Sequence, residues 1–175
     1  EGIFVTCEVT PHHIILTEED VLHLGGNGKM SPPLRTEADR LALIDGINDG
    51  TVDAIATDHA PHADFEKRDL LSAPFGVIGM ESAFPACMKL VSDGILDLKR
   101  LLELFTSGPR RVAGLAPGGL MVGMPAELTI FDPTARVVID PDRFQSKSRN
   151  CPFAGMESLG KIYATCLSGT LIEAG

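Results

Sequence analysis

Residues 51–62 of the chain read Thr-Val-Asp-Ala-Ile-Ala-Thr-Asp-His-Ala-Pro-His, and this stretch decides the predicted fold. Its residues 52–56 are mostly apolar without polar alternation, which is typical of a strand buried on both faces of a parallel sheet. Three polar side chains, Asp58, His59 and His62, follow at the strand's end. Because α/β folds and (β/α)8 barrels place active sites at the C-terminal ends of their strands, this stretch predicts an active site. Taken alone, it also fits an ordinary loop.

The composition is that of a globular protein. The 175 residues are 44% hydrophobic and 22% charged, which fits about one domain with a sizeable core. A formal net charge of −9 argues against nucleic acid or an anionic membrane as the main partner, since both attract basic surfaces. No apolar run approaches the roughly 20 residues of a membrane span, and no signal-peptide pattern opens the chain. We therefore expect a cytoplasmic protein.

The cysteines do not form a recognisable metal or disulfide pattern. They are scattered without CxxC spacing and mostly have apolar neighbours, so we expect buried free thiols. The four are Cys7, Cys87, Cys151 and Cys166.

The chain before residue 51 predicts one strand and two helices. Residues 3–9 are rich in β-branched and aromatic residues, which predicts a strand that delivers His12 and His13 to its C-terminal end. Adjacent residues of an extended chain point in opposite directions, so we expect one histidine to pack inward and the other to bond a loop. Thr17 opens a short helix, and Thr36 caps a second one over residues 37–48. The order strand, helix, strand predicts a βα repeat.

After residue 62 the sequence predicts a charged segment, then helices, and finally short strands. Residues 63–72 are charged and fit either a flap beside the site or a solvated surface segment. Helices are predicted over residues 80–92 and 98–105, the second with Asp97 as its N-cap. Beyond residue 113, glycines and prolines separate short β-prone runs, which predict strands. The predicted strands cover residues 127–131, 137–139 and 162–167.

Four segments together closely resemble the C-terminal half of dihydroorotase, a family of metal-dependent amidohydrolases. They are residues 5–13, 29–35, 56–62 and 73–81. Allantoinases and dihydropyrimidinases share the superfamily, but the Asp-His-Ala-Pro-His and Ala-Pro-Phe-Gly elements are more similar to dihydroorotase. The resemblance implies an α/β fold in which residues 1–113 form the last two βα units of a (β/α)8 barrel with its closing helices. Residues 114–175 would form the C-terminal strands of a small β-sandwich.

The resemblance also assigns site residues. It implies that Asp58 binds the metal and acts as general base and acid, with one or two zinc ions as cofactor. His62 and the main-chain groups of Phe75 and Gly76 would bind the substrate. Ser31 stands where the family usually has asparagine, and a serine keeps a donor and an acceptor but loses reach.

The function implied is the interconversion of dihydroorotate with N-carbamoyl-L-aspartate in pyrimidine synthesis. The family's His-x-His pair, bridging carboxylate and two further histidine ligands have no counterpart here, so we expect a C-terminal fragment that is inactive alone. Two alternatives are a non-catalytic dihydroorotase-like subunit that stabilises aspartate transcarbamoylase, and a sister enzyme such as allantoinase or dihydropyrimidinase. The expected partners are a small-molecule substrate and either a second copy, as a homodimer, or aspartate transcarbamoylase.

Overall fold

The computed structural model describes residues 2–3 and 5–174. Two short strands, β1 (Glu8–Val9) and β2 (Ala54–Ile55), pair in parallel. The ladder continues beyond them, because the Asp53 N–H donates to the Cys7 carbonyl at 2.9 Å. A helix lies between the two strands in the chain, so the predicted βα repeat is confirmed.

Helices follow each of the two parallel strands. Their bounds are α1 (Pro11–Ile15), α2 (Val21–Leu24), α3 (Glu37–Asn48), α4 (Ala83–Ser92), α5 (Leu98–Phe105) and α6 (Ser107–Val112). Short 3-10 turns occur at Glu18–Asp20, Gly25–Gly28, Asp64–Lys67 and Pro141–Arg143. Two predicted caps are confirmed: the Thr36 side chain accepts the Asp39 N–H, and the Asp97 carboxylate accepts the N–H groups of Lys99 and Arg100. Each of these two caps satisfies backbone donors that the helix itself leaves unpaired. Thr17 begins a 3-10 turn as predicted, but its side chain donates to Asp20 instead of accepting a backbone N–H.

The larger apolar core lies around the parallel strands. It joins both strands to one face each of α3, α4 and α5, and full burial of each large side chain contributes about 1.5–3 kcal/mol. Its buried members are Val9, Ile14, Ile44, Ile47, Val52, Ile55, Cys87, Met88, Leu90, Leu96, Leu101 and Leu104.

A second core lies beneath the loops that follow β1 and β2. Val77 and Ile78 pack there against residues from the start and the end of the chain. The whole cluster comprises Leu16, Met30, Leu34, Val77, Ile78, Ala86, Ile139, Cys151 and Phe153. This core fixes residues 77 and 78, which directly follow the predicted substrate-binding positions.

The last third of the chain forms an antiparallel sheet of β3 (Leu128–Val138), β4 (Glu157–Leu167) and β5 (Thr170–Glu173), in that order. It is tied to α4 by the buried Ser158 hydroxyl, which donates to the Pro85 carbonyl at 2.6 Å. The strands predicted over residues 127–131 and 137–139 are one strand, because pairing with β4 resumes after an irregularity between Asp132 and Arg136.

Several other expectations needed correction. The strand predicted over residues 3–9 contains only Glu8–Val9 as regular strand, and Phe4 lies outside the described residues. His12 and His13 lie in α1 rather than on an extended chain, because Thr10 caps a helical turn that Pro11 begins. Cys7 is exposed, whereas a core position was expected. In the described part of the chain, no helix is long and apolar enough to cross a membrane.

Candidate active site

The end of β2 presents Asp58 in an unusual backbone conformation. Asp58 is exposed and has a φ of +48°, a left-handed conformation that costs energy for most residues and that Asp and Asn adopt more readily. The next residue is anchored, since His59 Nδ1 accepts the N–H groups of Gly79 at 3.1 Å and Met80 at 3.3 Å. Strained backbone of this kind is concentrated at functional sites. The loop after β2 therefore places the Asp58 carboxylate at the strand end. The adjacent His59 imidazole stabilises this loop through its bonds to Gly79 and Met80.

His62 and Phe75 meet across two loops. The Nε2 atom of His62 lies 3.0 Å from the Phe75 carbonyl oxygen, and the His62 N–H donates to Asn150 Oδ1 at 3.3 Å. A carbonyl oxygen only accepts, so Nε2 carries the hydrogen in this contact. The Phe75 carbonyl, thirteen residues further along the chain, thereby orients the His62 imidazole.

Both main-chain polar groups of Gly76 have partners. Its N–H donates to the Lys29 carbonyl at 2.9 Å, and its carbonyl accepts Lys67 Nζ at 2.8 Å. Phe75 is 57% exposed, and the Lys29 ammonium lies 5.1 Å from the centre of its ring. A ligand could therefore meet the Phe75 ring and N–H more readily than the main chain of Gly76.

The loop that carries Ser31 is held by His13. Its Nε2 donates to the Pro32 carbonyl at 2.9 Å, and its Nδ1 lies 2.6 Å from the Thr10 hydroxyl. Ser31 itself is exposed. His12 packs inward and is 2% exposed, so the expectation of one buried and one loop-bonding histidine is confirmed. Burial, with a smaller contribution from His13, lowers the pKa of His12 to about 3.

The structure brings together three of the five predicted site residues. His62, Phe75 and Gly76 form one contiguous group, and the Ser31 loop joins it through Lys29. Among residues 2–3 and 5–174, no hydrogen bond links Asp58 or Ser31 to that group. The roles assigned to these five residues stay predictions.

Two buried polar residues at this site were missed from the sequence. Lys67 is 7% exposed and Asn150 is 2% exposed, and both donate to the Gly76 carbonyl. Lys67 lies in the charged segment 63–72, whose sequence fits a solvated surface segment as well as a flap beside the site. Asn150 lies in the run from Phe144 to Phe153, which also resembles the dihydroorotase family, and this resemblance is the only sequence signal for it.

The described residues do not by themselves provide a metal centre. Within them, no three His, Cys, Asp or Glu side chains lie close enough together to hold an ion. Asp58 is an oxygen ligand of the kind that zinc accepts, but one carboxylate falls short of the three or four protein ligands of a zinc site.

All four cysteines are free thiols, but the expected burial holds for only two of them, since Cys7 is exposed and Cys166 is half-buried. Cys87 and Cys151 are buried, and desolvation raises the pKa of both thiols. They are therefore inert packing residues rather than nucleophiles.

A family model described as "Amidohydrolase family" matches residues 5–172. The chain belongs to the amidohydrolase family. It is 44% identical over 172 residues to the dihydroorotase of Aquifex aeolicus (strain VF5) and 48% identical over 173 residues to that of Geobacillus thermodenitrificans (strain NG80-2). Each match covers 98% of this chain, which spans 41% and 40% of the two relatives. The resemblance to dihydroorotase is thus confirmed, over a chain about 40% as long as the curated relatives.

Solved amidohydrolase structures share this fold. The L-hydantoinase (dihydropyrimidinase) from Arthrobacter aurescens is 31% identical, with a TM-score of 0.90 over 98% of this chain and 40% of that chain. The inactive dihydroorotase-like domain of a Chaetomium thermophilum CAD-like multifunctional protein is 19% identical, with a TM-score of 0.66 over 99% of this chain and 48% of that chain. At 19% identity the second similarity concerns the fold alone. The predicted α/β class is confirmed by these similarities.

Proposed function

We propose that the chain is the C-terminal part of a dihydroorotase, which interconverts dihydroorotate and water with N-carbamoyl-L-aspartate. The observation that carries this proposal is the His62–Phe75 contact in the loops that follow the Asp58 strand. Both loops belong to segments that resemble dihydroorotase, and the curated relatives bear that name. The protein would act in the cytoplasm on a small molecule, as a homodimer or with aspartate transcarbamoylase.

The proposed architecture follows the same resemblance. β1 and β2 would be the seventh and eighth strands of a (β/α)8 barrel, with residues 1–113 as its last two βα units and closing helices. Residues 114–175 would be the C-terminal strands of a β-sandwich. The parallel pairing of β1 with β2 and the antiparallel sheet of β3, β4 and β5 support this division.

Asp58 is the proposed proton carrier and metal ligand. Its carboxylate would take a proton from the attacking water and return it to the amide nitrogen that leaves the ring. The exposed side chain and the anchored turn around it support this role. Zinc is the proposed cofactor, and Asp58 would be the ligand that this part of the protein supplies.

Substrate recognition is proposed for His62, Ser31 and the main chain of Phe75 and Gly76, where the Phe75 N–H is the group a ligand reaches most readily because both polar groups of Gly76 already have partners. The imidazole of His62 is held by the Phe75 carbonyl through Nε2, and in the doubly protonated ring Nδ1 would donate a hydrogen bond to the substrate carboxylate. Ser31 would contact the ring from the neighbouring loop. Dihydroorotate carries a ring carboxylate, whereas dihydrouracil and allantoin do not.

A sister cyclic amidohydrolase is the second candidate. The observation that favours it is the similarity to the Arthrobacter aurescens L-hydantoinase (dihydropyrimidinase), with a TM-score of 0.90 at 31% identity. A dihydropyrimidinase would act on an uncharged ring, and the His62–Phe75 pair would then have no anion to bind.

A hybrid enzyme can separate the two candidates. In this hybrid, our chain replaces the segment that it matches in the Aquifex aeolicus dihydroorotase, and the purified protein is assayed with zinc present. We expect hydrolysis of dihydroorotate at a kcat/KM well above that for dihydrouracil or allantoin. Faster turnover of either uncharged ring would contradict the dihydroorotase proposal and favour the sister enzyme.

A further inference from the structure

Lys67 is a buried lysine whose ammonium group binds two carbonyls. Its Nζ donates to the carbonyls of Pro74 and Gly76, both at 2.8 Å. Burial, with a smaller contribution from Lys29, lowers the pKa of Lys67 to about 8. Burying an ammonium group is costly unless hydrogen bonds replace its hydration. Here those bonds go to the loop that carries Phe75.

Asn150 approaches the same carbonyl from the other side. Its Nδ2 donates to the Ala60 carbonyl at 3.0 Å and lies 3.5 Å from the Gly76 carbonyl, while its Oδ1 accepts the His62 N–H. One buried amide therefore connects the His62 loop to the Phe75 loop. Lys67 and Asn150 converge on the Gly76 carbonyl, and we call these three residues the Gly76 clamp.

The peptide unit that carries the Phe75 carbonyl lies between the two peptide units whose carbonyls Lys67 binds. The Phe75 C=O and the Gly76 N–H belong to one planar peptide unit, in which the two bonds point in opposite directions when the peptide is trans. Because the Gly76 N–H is fixed on the Lys29 carbonyl, the Phe75 carbonyl points the other way, and it meets His62 Nε2. The backbone at Gly76 has a φ of +95°. Glycine adopts such a φ without steric cost, so the hydrogen bonds to Lys29, Lys67 and Asn150 hold the peptide units on either side of it.

We propose that Lys67 and Asn150 are positioning residues, which fix the Gly76 carbonyl so that the His62–Phe75 pair is ready to bind an anionic group of the substrate. They set the affinity for a carboxylate-bearing cyclic amide and leave the proton transfer at Asp58 untouched. This inference rests on the proposed function for the identity of the substrate.

The test uses two variants of the hybrid enzyme, Lys67→Met and Asn150→Leu, which keep side-chain size but remove the donors. We expect the KM for dihydroorotate to rise about tenfold in each, with kcat within about twofold of the parent. Lys89→Met is the matched control, since Lys89 pairs with Asp93 at 2.6 Å on the surface of α4. Its KM should not change.

A purely structural role would give another pattern. The variants would then lose active protein, so the apparent kcat would fall while KM stayed at the parent value, and this result would overturn the clamp. The parent is first assayed on dihydroorotate, dihydrouracil and allantoin, so that failure of the dihydroorotase proposal is seen separately. KM is then compared on whichever substrate is hydrolysed, and a similar rise for an uncharged ring would overturn the proposed anion specificity.

Amide hydrogen exchange gives a readout that needs no turnover. We expect faster exchange in peptides that cover residues 60–63 and 75–78 in both variants, and parent rates in Lys89→Met. If the parent hydrolyses none of the three compounds, hydrogen exchange by itself tests whether Lys67 and Asn150 hold the two loops. Unchanged exchange in both peptides would overturn it.

Discussion

The Nε2 atom of His62 lies 3.0 Å from the carbonyl oxygen of Phe75. This contact joins the loop after β2 to the loop that enters the second core, and it fixes which imidazole nitrogen carries hydrogen. The other nitrogen is then available to a ligand in a known orientation. When the ring carries a hydrogen on both nitrogens, this preorganised side chain can donate to an anion from Nδ1 without first losing rotamer freedom.

His62→Ala should mainly weaken substrate binding. The His62 N–H bond to Asn150 is made by the backbone and survives the change, so the loop should keep its path. In the hybrid enzyme we expect the KM for dihydroorotate to rise roughly ten- to hundredfold, as for loss of a hydrogen bond to a charged group, with a small change in kcat. His23→Ala, at a mostly exposed histidine, is the control. A large fall in kcat at unchanged KM would argue for a catalytic role instead.

Gly76→Ala should destabilise the protein and impair binding together. A Cβ at this position would lie 2.6 Å from the Ala60 Cβ, and the φ of +95° is strained for any residue with a side chain. We expect a loss of about 1–3 kcal/mol in the free energy of unfolding, measured by denaturant titration. Adding Ala60→Gly should recover part of that loss, because it removes the clash but not the strain.

Gly119→Ala is the matched control for this change, since a Cβ there meets nothing within 4 Å. It should leave both stability and KM at the parent values. Full stability of Gly76→Ala would show that the loop relaxes more easily than the structure implies.

His12 should make the protein sensitive to acid. Its pKa is lowered from the ordinary 6.5 of a histidine to about 3 in the folded state, so the unfolded state binds more protons between these two pH values. Stability should therefore be fully present above pH 6.5 and fall as the pH drops towards 3, by about 3–5 kcal/mol from this residue. His12→Phe should flatten this decline relative to the parent, and His23→Gln should not. The check is denaturant unfolding as a function of pH, and identical slopes for parent and His12→Phe would contradict it.

The starts of α3 and α5 could be predicted from the sequence because their cap signals are local, whereas α4, which lacks a side-chain cap, begins at Ala83 rather than at residue 80. Thr36 and Asp97 each accept N–H groups two or three residues ahead, so the bounds of α3 and α5 matched the predicted ranges. The extent of strands was predicted less well. A strand ends where its partner ends, and the partner of β1 lies about 46 residues away in the chain.

The buried polar contacts of the site could not be predicted for the same reason. Asn150 meets Ala60 and His62 across separations of 90 and 88 residues, which no local pattern records. Lys67 lies in a charged run, and charged runs are mostly solvated. The resemblance identified which segments carry the site, whereas only the structure shows how Lys67 and Asn150 hold them together.

Ser31→Asn tests the substrate class. If Ser31 takes the place of the family's asparagine beside the bound ring, the change should preserve or raise kcat/KM for dihydroorotate in the hybrid enzyme. One neutral hydrogen bond is worth about 0.5–1.5 kcal/mol, so the gain should be roughly two- to tenfold. Dihydrouracil and allantoin should remain poor substrates, since neither offers His62 a ring carboxylate. A fall in kcat/KM for dihydroorotate would contradict the proposal that Ser31 lies beside the bound ring.

The most direct test of the central claim is the rate of dihydroorotate hydrolysis by the hybrid enzyme with Asp58 and with Asp58→Asn. Asn tolerates the left-handed backbone at this position, so the change removes the proton-carrying group without adding backbone strain. Asp64→Asn, at an exposed residue that begins the Asp64–Lys67 turn, is the control. We predict turnover by the hybrid, none by the 175-residue chain alone, and a kcat lower by about 10²- to 10⁴-fold in Asp58→Asn at saturating substrate. A folded hybrid without activity, or an Asp58→Asn variant that keeps the parent kcat, would contradict the claim.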